Sequence, residues 1–205
     1  MRRPVHHYFI LNKPYDMVSQ FVSIHIVGLI SDLNFPLPRG IHAVGRLDSR
    51  SEGLLILTTN KKVTRLLFEG VLPHKRTYLA QVNHSVTEEG LQQLRKGIPF
   101  RIKDGKTYTS IPCEAEIVTN PEISFPSPYE MTDKIPYTWL RISLIEGKYH
   151  QVRKMVAAIH HRCKRLIRVG IEDLTLGDLQ PGCIKEIAEK DFFELLKIDN
   201  REILL

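Results

Sequence analysis

No apolar stretch of the 205-residue chain comes near eighteen residues, which argues against a membrane-spanning helix. The N-terminus, MRRPVHHYFILNKP, carries basic residues but neither a hydrophobic core nor a small-residue cleavage site of a secretory signal. A cytoplasmic protein is the expectation. Cysteine is scarce: Cys113, Cys163 and Cys183 are an odd number at wide spacings, with no CxxC pair, so neither a disulfide framework nor structural zinc is expected. The nine histidines do not supply a metal site instead. His6-His7 and His160-His161 are adjacent pairs, and neighbours in sequence point in different directions on a strand or a helix. Also missing are GxxxxGK[ST], GxGxxG, HExxH and GxSxG, which removes the usual signals of nucleotide hydrolysis, dinucleotide binding, zinc proteolysis and serine hydrolysis. There is no internal repeat and no low-complexity segment.

What the chain does contain is the composition of a globular domain. With 42% hydrophobic and 25% charged residues, it reads as one domain or as two tightly joined lobes, about 1–60 with 140–185 and 61–139. The net charge of +6 makes a polyanionic partner an expectation. Its distribution says more. Lys148, Arg153, Lys154, Arg162, Lys164, Arg165 and Arg168 fall within one stretch, with His150, His160 and His161 and no acidic residue among them. Such a run can be a solvated helix face, but without compensating carboxylates it repels itself unless an anion lies across it. A nucleic-acid face is the favoured reading. The tail from Glu186 to Leu205 is mixed in charge and rich in Glu and Asp.

Periodicity and punctuation predict the elements. His7 to Leu11 reads as a strand, Asp16 to Ser23 as a second extended piece, and Phe35 to Gly40 as a Pro/Gly-rich loop. Asn60 is placed to cap a helix over Lys61 to Glu69 that stops at Gly70. Thr77 to Asn83 alternates as a strand, and a helix from Thr87 to Lys96 closes at Gly97. Tyr108 to Thr119 holds further strand material. The segment Asn120 to Pro136, with four prolines, is expected to be irregular, either a specificity loop or a long connection. A strand over Trp139 to Ile145, a turn at Glu146-Gly147-Lys148, a helix over Tyr149 to His160 and a strand over Leu166 to Leu176 complete the pattern. Val152, Met155, Val156 and Ile159 repeat at helical spacing and are expected in the core, whereas Arg153 falls beside that stripe, near a helix start that favours an anion. Strands in runs, with helices that do not alternate regularly, predict an α+β fold around a largely antiparallel sheet.

The segment GRLDSRSEGLLILTTN, Gly45 to Asn60, carries the chemistry. Leu54-Leu55-Ile56-Leu57 is too short for a helix and reads as a strand buried on both faces. Asp48, two residues after Arg46 and just ahead of that strand, is therefore expected close to the core. A carboxylate beside an arginine has its charged form favoured, so it can serve as nucleophile or base. Taken alone, an Asp in such a place is more often a turn former or a structural ion pair.

The residues here also resemble a known family. Gly45-Arg46-Leu47-Asp48, followed by Ser51-Glu52-Gly53-Leu54-Leu55-Ile56-Leu57-Thr58, is similar to the GRLDxxSxGLLLLT signature of ribosomal RNA pseudouridine synthases of the RsuA type. Leu11-Asn12-Lys13-Pro14 resembles the family's LNKP, Arg76-Thr77-Tyr78 its KTY, and Glu146 through Met155 its EGRxxQVRRM. Leu166-Ile167-Arg168-Val169 through Leu176 and Leu179-Gln180-Pro181-Gly182 resemble its closing LIRVxIGxLxLxxLxPG. The resemblance runs from about residue 8 to 182. In the family's commonest layout a small S4-like RNA-binding domain precedes LNKP, and here only ten residues do. The chain thus resembles the shorter large-subunit synthases of the E type, which lack that domain, and RNA selection is expected to fall to the catalytic domain.

The resemblance implies a cofactor-free and metal-free isomerase that converts a uridine of ribosomal RNA to pseudouridine. It implies that Asp48 is the essential aspartate, that Arg153 pairs with it and keeps it ionised, and that Tyr78 stacks on the target base. Arg46 is implied either to fill the space a flipped base vacates or to make a structural pairing. Lys13 and Pro14 are expected near the floor of the site in a structural role, and Arg50 has no assigned role. Lys148, Lys154, Arg162, Lys164, Arg165 and Arg168 are expected to bind RNA, with the protein acting as a monomer on large-subunit rRNA or an assembly intermediate. A non-catalytic RNA-binding assembly factor is the alternative from another class. A glycosidase-like hydrolase finds no second placed carboxylate.

Overall fold

The computed structural model describes residues 5–70, 72–102, 105–121, 123–129 and 135–198. Parts of the 120–136 segment (122 and 130–134), of the N-terminus (1–4) and of the mixed-charge tail (199–205) lie outside the described residues. The chain divides into two compact units, residues 1–74 with 169–205, and residues 75–168.

In the first unit, strand β1 (Tyr8–Lys13) pairs antiparallel with β3 (Glu52–Thr58), and β2 (His42–Val44) forms a hairpin with β3. Every residue of β1 and β3 is buried. Leu54, Leu55, Ile56 and Leu57 are each fully buried, and each such side chain contributes about 1.5–3 kcal/mol of apolar burial. This is the two-face burial that the unbroken apolar run predicts. The register sets Lys13 opposite Gly53, at the end of β3 where the Asp48 loop joins it. Helix α1 (Lys62–Phe68) follows, with Asn60 Oδ1 accepting from the Lys62 N–H at 3.1 Å as its start signal requires.

Some of this unit was not legible in the sequence. Asp16 to Ser23 is not a strand; Met17 makes only an isolated bridge to Gly28. Strand β11 (Ile184–Ile187) adds to the free edge of β1, and helix α4 (Glu189–Leu195) docks on it. Tyr8 meets Phe192 at 4.5 Å and Phe193 at 5.4 Å between ring centroids, and its hydroxyl donates to Glu189 while accepting from Asn60. Burial raises the Tyr8 phenol well above its ordinary pKa, with Asn60 opposing and Glu189 adding to the rise.

In the second unit, β4 (Arg76–Asn83) pairs antiparallel with β8 (Tyr137–Leu144) along its whole length, and β7 (Glu114–Ile117) pairs with the other side of β8. Strands β5 (Pro99–Arg101) and β6 (Thr107–Thr109) form a separate two-stranded sheet. Helix α2 (Glu88–Lys96) is capped by Thr87, whose Oγ1 accepts from the Gly90 N–H at 3.3 Å, and Gly97 at φ +96° ends it. Helix α3 (Gln151–Ala158) packs Val152, Met155 and Val156 into the same core as Val82, Leu94, Leu140 and Ile142. Strand β9 (Cys163–Ile171) leaves this unit after Arg168 and turns into β10 (Leu174–Thr175) in the first.

These strands and four helices make the α+β fold, with its largely antiparallel sheet, that the sequence predicts. The unit boundaries fall at 74/75 and 168/169, rather than at 60/61 and 139/140. Segment 140–168 belongs with 75–139 because β8 is zipped to β4 and α3 shares its core.

Candidate active site

Asp48 sits on the loop between β2 and β3, half-buried, in a turn closed by a hydrogen bond from the Ser51 N–H to its own carbonyl at 2.9 Å. Arg46 and Arg50, on either side, are exposed. The loop is held from three directions. Gly45 adopts φ +70°, and a Cβ there would lie 2.6 Å from the Phe68 ring, so the approach demands glycine. Leu47 is buried, and its N–H and C=O both bond the Ser19 hydroxyl, at 2.9 and 3.0 Å. The third hold is Lys13, which has no exposed surface. Its ammonium donates to the carbonyls of Pro14 at 2.7 Å, Met17 at 2.6 Å and Ser49 at 3.2 Å. A cation with no exposed surface is tolerable because main-chain oxygens replace its water. The carboxylate is thus carried on a fixed main chain, which is what a reacting group needs. The structural role expected of Lys13 is realised in this way. Ser19 was not singled out by sequence, where one serine in a short polar segment gives no signal.

The other implied site residues belong to the second unit. Tyr78 is half-buried on β4, opposite Ile142, and packs against that unit's core. Arg153 is half-buried on α3 and donates through Nη1 to the Cys163 carbonyl at 3.3 Å. With Ala157, His160, His161, Arg162 and Cys163 it lines an open cleft of about 480 Å³ whose lining has no carboxylate. The Cys163 thiol is pushed up to about 11, chiefly by desolvation against the opposing charge of Arg153. It is therefore not a nucleophile at neutral pH.

The turn into α3 is tightly bonded. Gln151 accepts from the Lys148 N–H at 2.8 Å and donates to Glu146 at 2.6 Å, and Glu146 also accepts from the Ile111 N–H at 3.1 Å and from the Tyr108 hydroxyl. That bond to Glu146 raises the Tyr108 pKa.

The basic block divides. Lys148 and Arg162 are exposed, and Lys154 and Lys164 are half-buried. Arg165 and Arg168, expected on an RNA face, are instead buried at 5% and 2% exposure. The reason is their position on β9, a strand covered along most of its length. The Arg165 guanidinium donates to the Pro126 carbonyl at 3.0 Å and lies 5.2 Å from the Phe125 ring. Neither arginine is part of an exposed surface. Among the described residues, no group of three His, Cys, Asp or Glu side chains is placed to hold a metal ion, and no helix is long and apolar enough to cross a membrane.

The chain is similar to known proteins. The profile of the RNA pseudouridylate synthase family matches residues 7–158. Ribosomal large subunit pseudouridine synthase E of Vibrio parahaemolyticus is 40% identical over 179 residues, which are 87% of this chain and 72% of that protein. Ribosomal small subunit pseudouridine synthase A of Escherichia coli K12 is 28% identical over 185 residues, 90% of this chain and 71% of its own. A crystal structure of a pseudouridylate synthase superposes with a TM-score of 0.75 at 25% identity, covering 93% of this chain and 74% of that one. With the family profile spanning the Asp48 loop, the Arg76-Thr77-Tyr78 strand and helix α3, the chain belongs to the RNA pseudouridylate synthase family and is an enzyme that forms pseudouridine in RNA.

Proposed function

We propose that this enzyme isomerises one uridine of large-subunit ribosomal RNA, and that Asp48 is its catalytic residue. The observation that carries the assignment to Asp48 is its loop, pinned by the buried ammonium of Lys13 and the hydroxyl of Ser19. The preference for the large subunit rests on identity, 40% to a large-subunit synthase against 28% to a small-subunit one. The reaction breaks the C1′–N1 bond, rotates the uracil and joins C1′ to C5; the C5 proton leaves and N1 gains one. Atoms and electrons balance within the nucleoside, so no oxidant, reductant or energy source is required. Asp48 engages the target by attack on C6 of the base, by attack on C1′, or by removal of the 2′ proton.

In this reading Arg153 takes the role of the active-site arginine that the family resemblance implies. Tyr78 offers its ring to the flipped uracil, a contact that needs no particular hydrogen bonds, and Arg46 holds the strand where the base has left. Lys148, Lys154, Arg162 and Lys164 take the phosphate backbone, the cleft beside Arg153 being the natural anion seat. The enzyme acts as a monomer in the cytoplasm. A carbodiimide primer-extension map of rRNA from cells lacking the protein tests the proposal. One lost large-subunit site, restored by wild type and not by Asp48→Asn, is the expected result; restoration by both would remove Asp48 from the chemistry.

A further inference from the structure

Tyr149 is a highly exposed aromatic residue, at 69% of its surface, yet its ring is held by its neighbours. Its ring stacks on that of His150 at 3.9 Å between centroids and 18° between planes, and the Lys154 ammonium lies 5.3 Å from its centroid. The backbone is bent to make this pair. His150 sits at φ +55°, a left-handed conformation uncommon for a residue with a Cβ. The constraint is visible: buried Gln151 bonds the Lys148 carbonyl, the Lys148 N–H and the Glu146 carboxylate. Strain held this firmly, in a turn that pushes an aromatic ring into solvent, calls for a use outside the fold. Gln151 also donates to the Sδ of the core residue Met155 at 3.7 Å, whereas Tyr149 is not among the residues of that core.

The chemistry around the ring names its partner. Lys148 is exposed beside it, with its ammonium 4.8 Å from the Tyr108 ring, and Lys154 and Arg153 follow on α3. Exposed aromatic rings interleaved with cations form the surface on which unpaired bases stack while their phosphates are neutralised. Lys154 is a flexible, half-exposed side chain that can pass from the ring to such a phosphate. We propose that Tyr149, backed by His150, is a stacking platform for an unpaired base of the RNA other than the uridine being modified. The inference rests on the RNA-modifying reading above and adds to it a second base site, apart from Tyr78.

The test uses the full-length protein with a single-stranded 12-mer oligouridylate carrying one central 2-aminopurine, and the same strand annealed to its complement. Wild type is expected to change the 2-aminopurine fluorescence of the single strand and not of the duplex. Tyr149→Ala is expected to lose that change and to bind the single strand about 5- to 150-fold more weakly, from the 1–3 kcal/mol that stacking on one base is worth. Tyr149→Phe keeps the ring and is expected to stay within about twofold of wild type in this stacking assay. The salt dependence of binding should be the same for all three, since no phosphate contact is removed. The proposal is overturned if the alanine variant quenches and binds as wild type does. It is overturned equally if phenylalanine fails as alanine does, if the duplex responds like the single strand, or if only the salt dependence changes. A parallel pseudouridine assay on rRNA keeps the two readings apart: absence of product with wild type would count against the proposed function, whereas the stacking result stands on its own fluorescence.

Discussion

The Nζ of Lys13, at the end of β1, donates to the carbonyl of Ser49 at 3.2 Å, and Ser49 follows Asp48 directly. One buried cation therefore joins β1 to the residue next to the carboxylate proposed to react. Lys13→Met keeps the stem and removes the amine, leaving the carbonyls of Pro14, Met17 and Ser49 short of a donor. A loss of about 2–4 kcal/mol is expected, from the cost of unsatisfied buried groups, together with a fall in single-turnover rate. An unchanged melting temperature and rate would show that the three bonds do not hold the loop.

Asp48→Asn keeps the size and half-burial of the side chain and removes its charge. Pseudouridine formation should fall below detection while the melting temperature and the affinity for rRNA stay close to wild type, the pattern of a group used in the transition state rather than in binding. Equal losses of affinity and activity would make Asp48 a binding residue.

Gly45→Ala meets two obstacles, a φ of +70° and a Phe68 ring 2.6 Å from the new Cβ. Together they should cost about 2–4 kcal/mol. In the double variant with Phe68→Ala, the steric part should be recovered and the backbone part should persist. Full additivity of the two substitutions in urea melts would show that the ring is not the obstacle.

The segments that bear the proposed site residues were more legible than those that hold them. The β3 strand could be read because four consecutive aliphatic residues between Gly53 and Thr58 have no other economical arrangement, and the GRLD motif fixed Asp48 ahead of it. Helices α1 and α2 were readable from Asn60, Thr87 and Gly97, residue types that mark helix ends by their local chemistry. The tail was not. Phe192 and Phe193 lie in a mixed-charge stretch, and only the Tyr8 side of β1, more than 180 residues away, shows why that stretch becomes a helix. Arg165 and Arg168 misled for a related reason. A run of cations reads as a surface until the strand they lie on is known to be covered.

The three cysteines should separate in reactivity. Cys183 is exposed, whereas Cys113 and Cys163 are partly covered. Burial pushes the Cys113 thiol up to about 11, with the charges of Glu146 and Glu114 adding to the rise. Desolvation pushes Cys163 up to about 11 as well, against the pull of Arg153. A raised thiol pKa means that the neutral form dominates below it, so at pH 7.5 only on the order of one molecule in a thousand or fewer carries a thiolate at either position. Titration with an aromatic disulfide should therefore show one fast equivalent, assigned to Cys183 by its loss in Cys183→Ser, and two slow ones. The slow equivalents should accelerate as pH rises toward 11. The same shifts favour the protonated folded form, so the stability these two thiols contribute is complete below the ordinary thiol pKa and is lost as pH climbs from there through 11. In guanidinium all three should react together. Three equal rates in the native protein at pH 7.5 would mean that the surroundings of Cys113 and Cys163 open to solvent far more often than their packing implies.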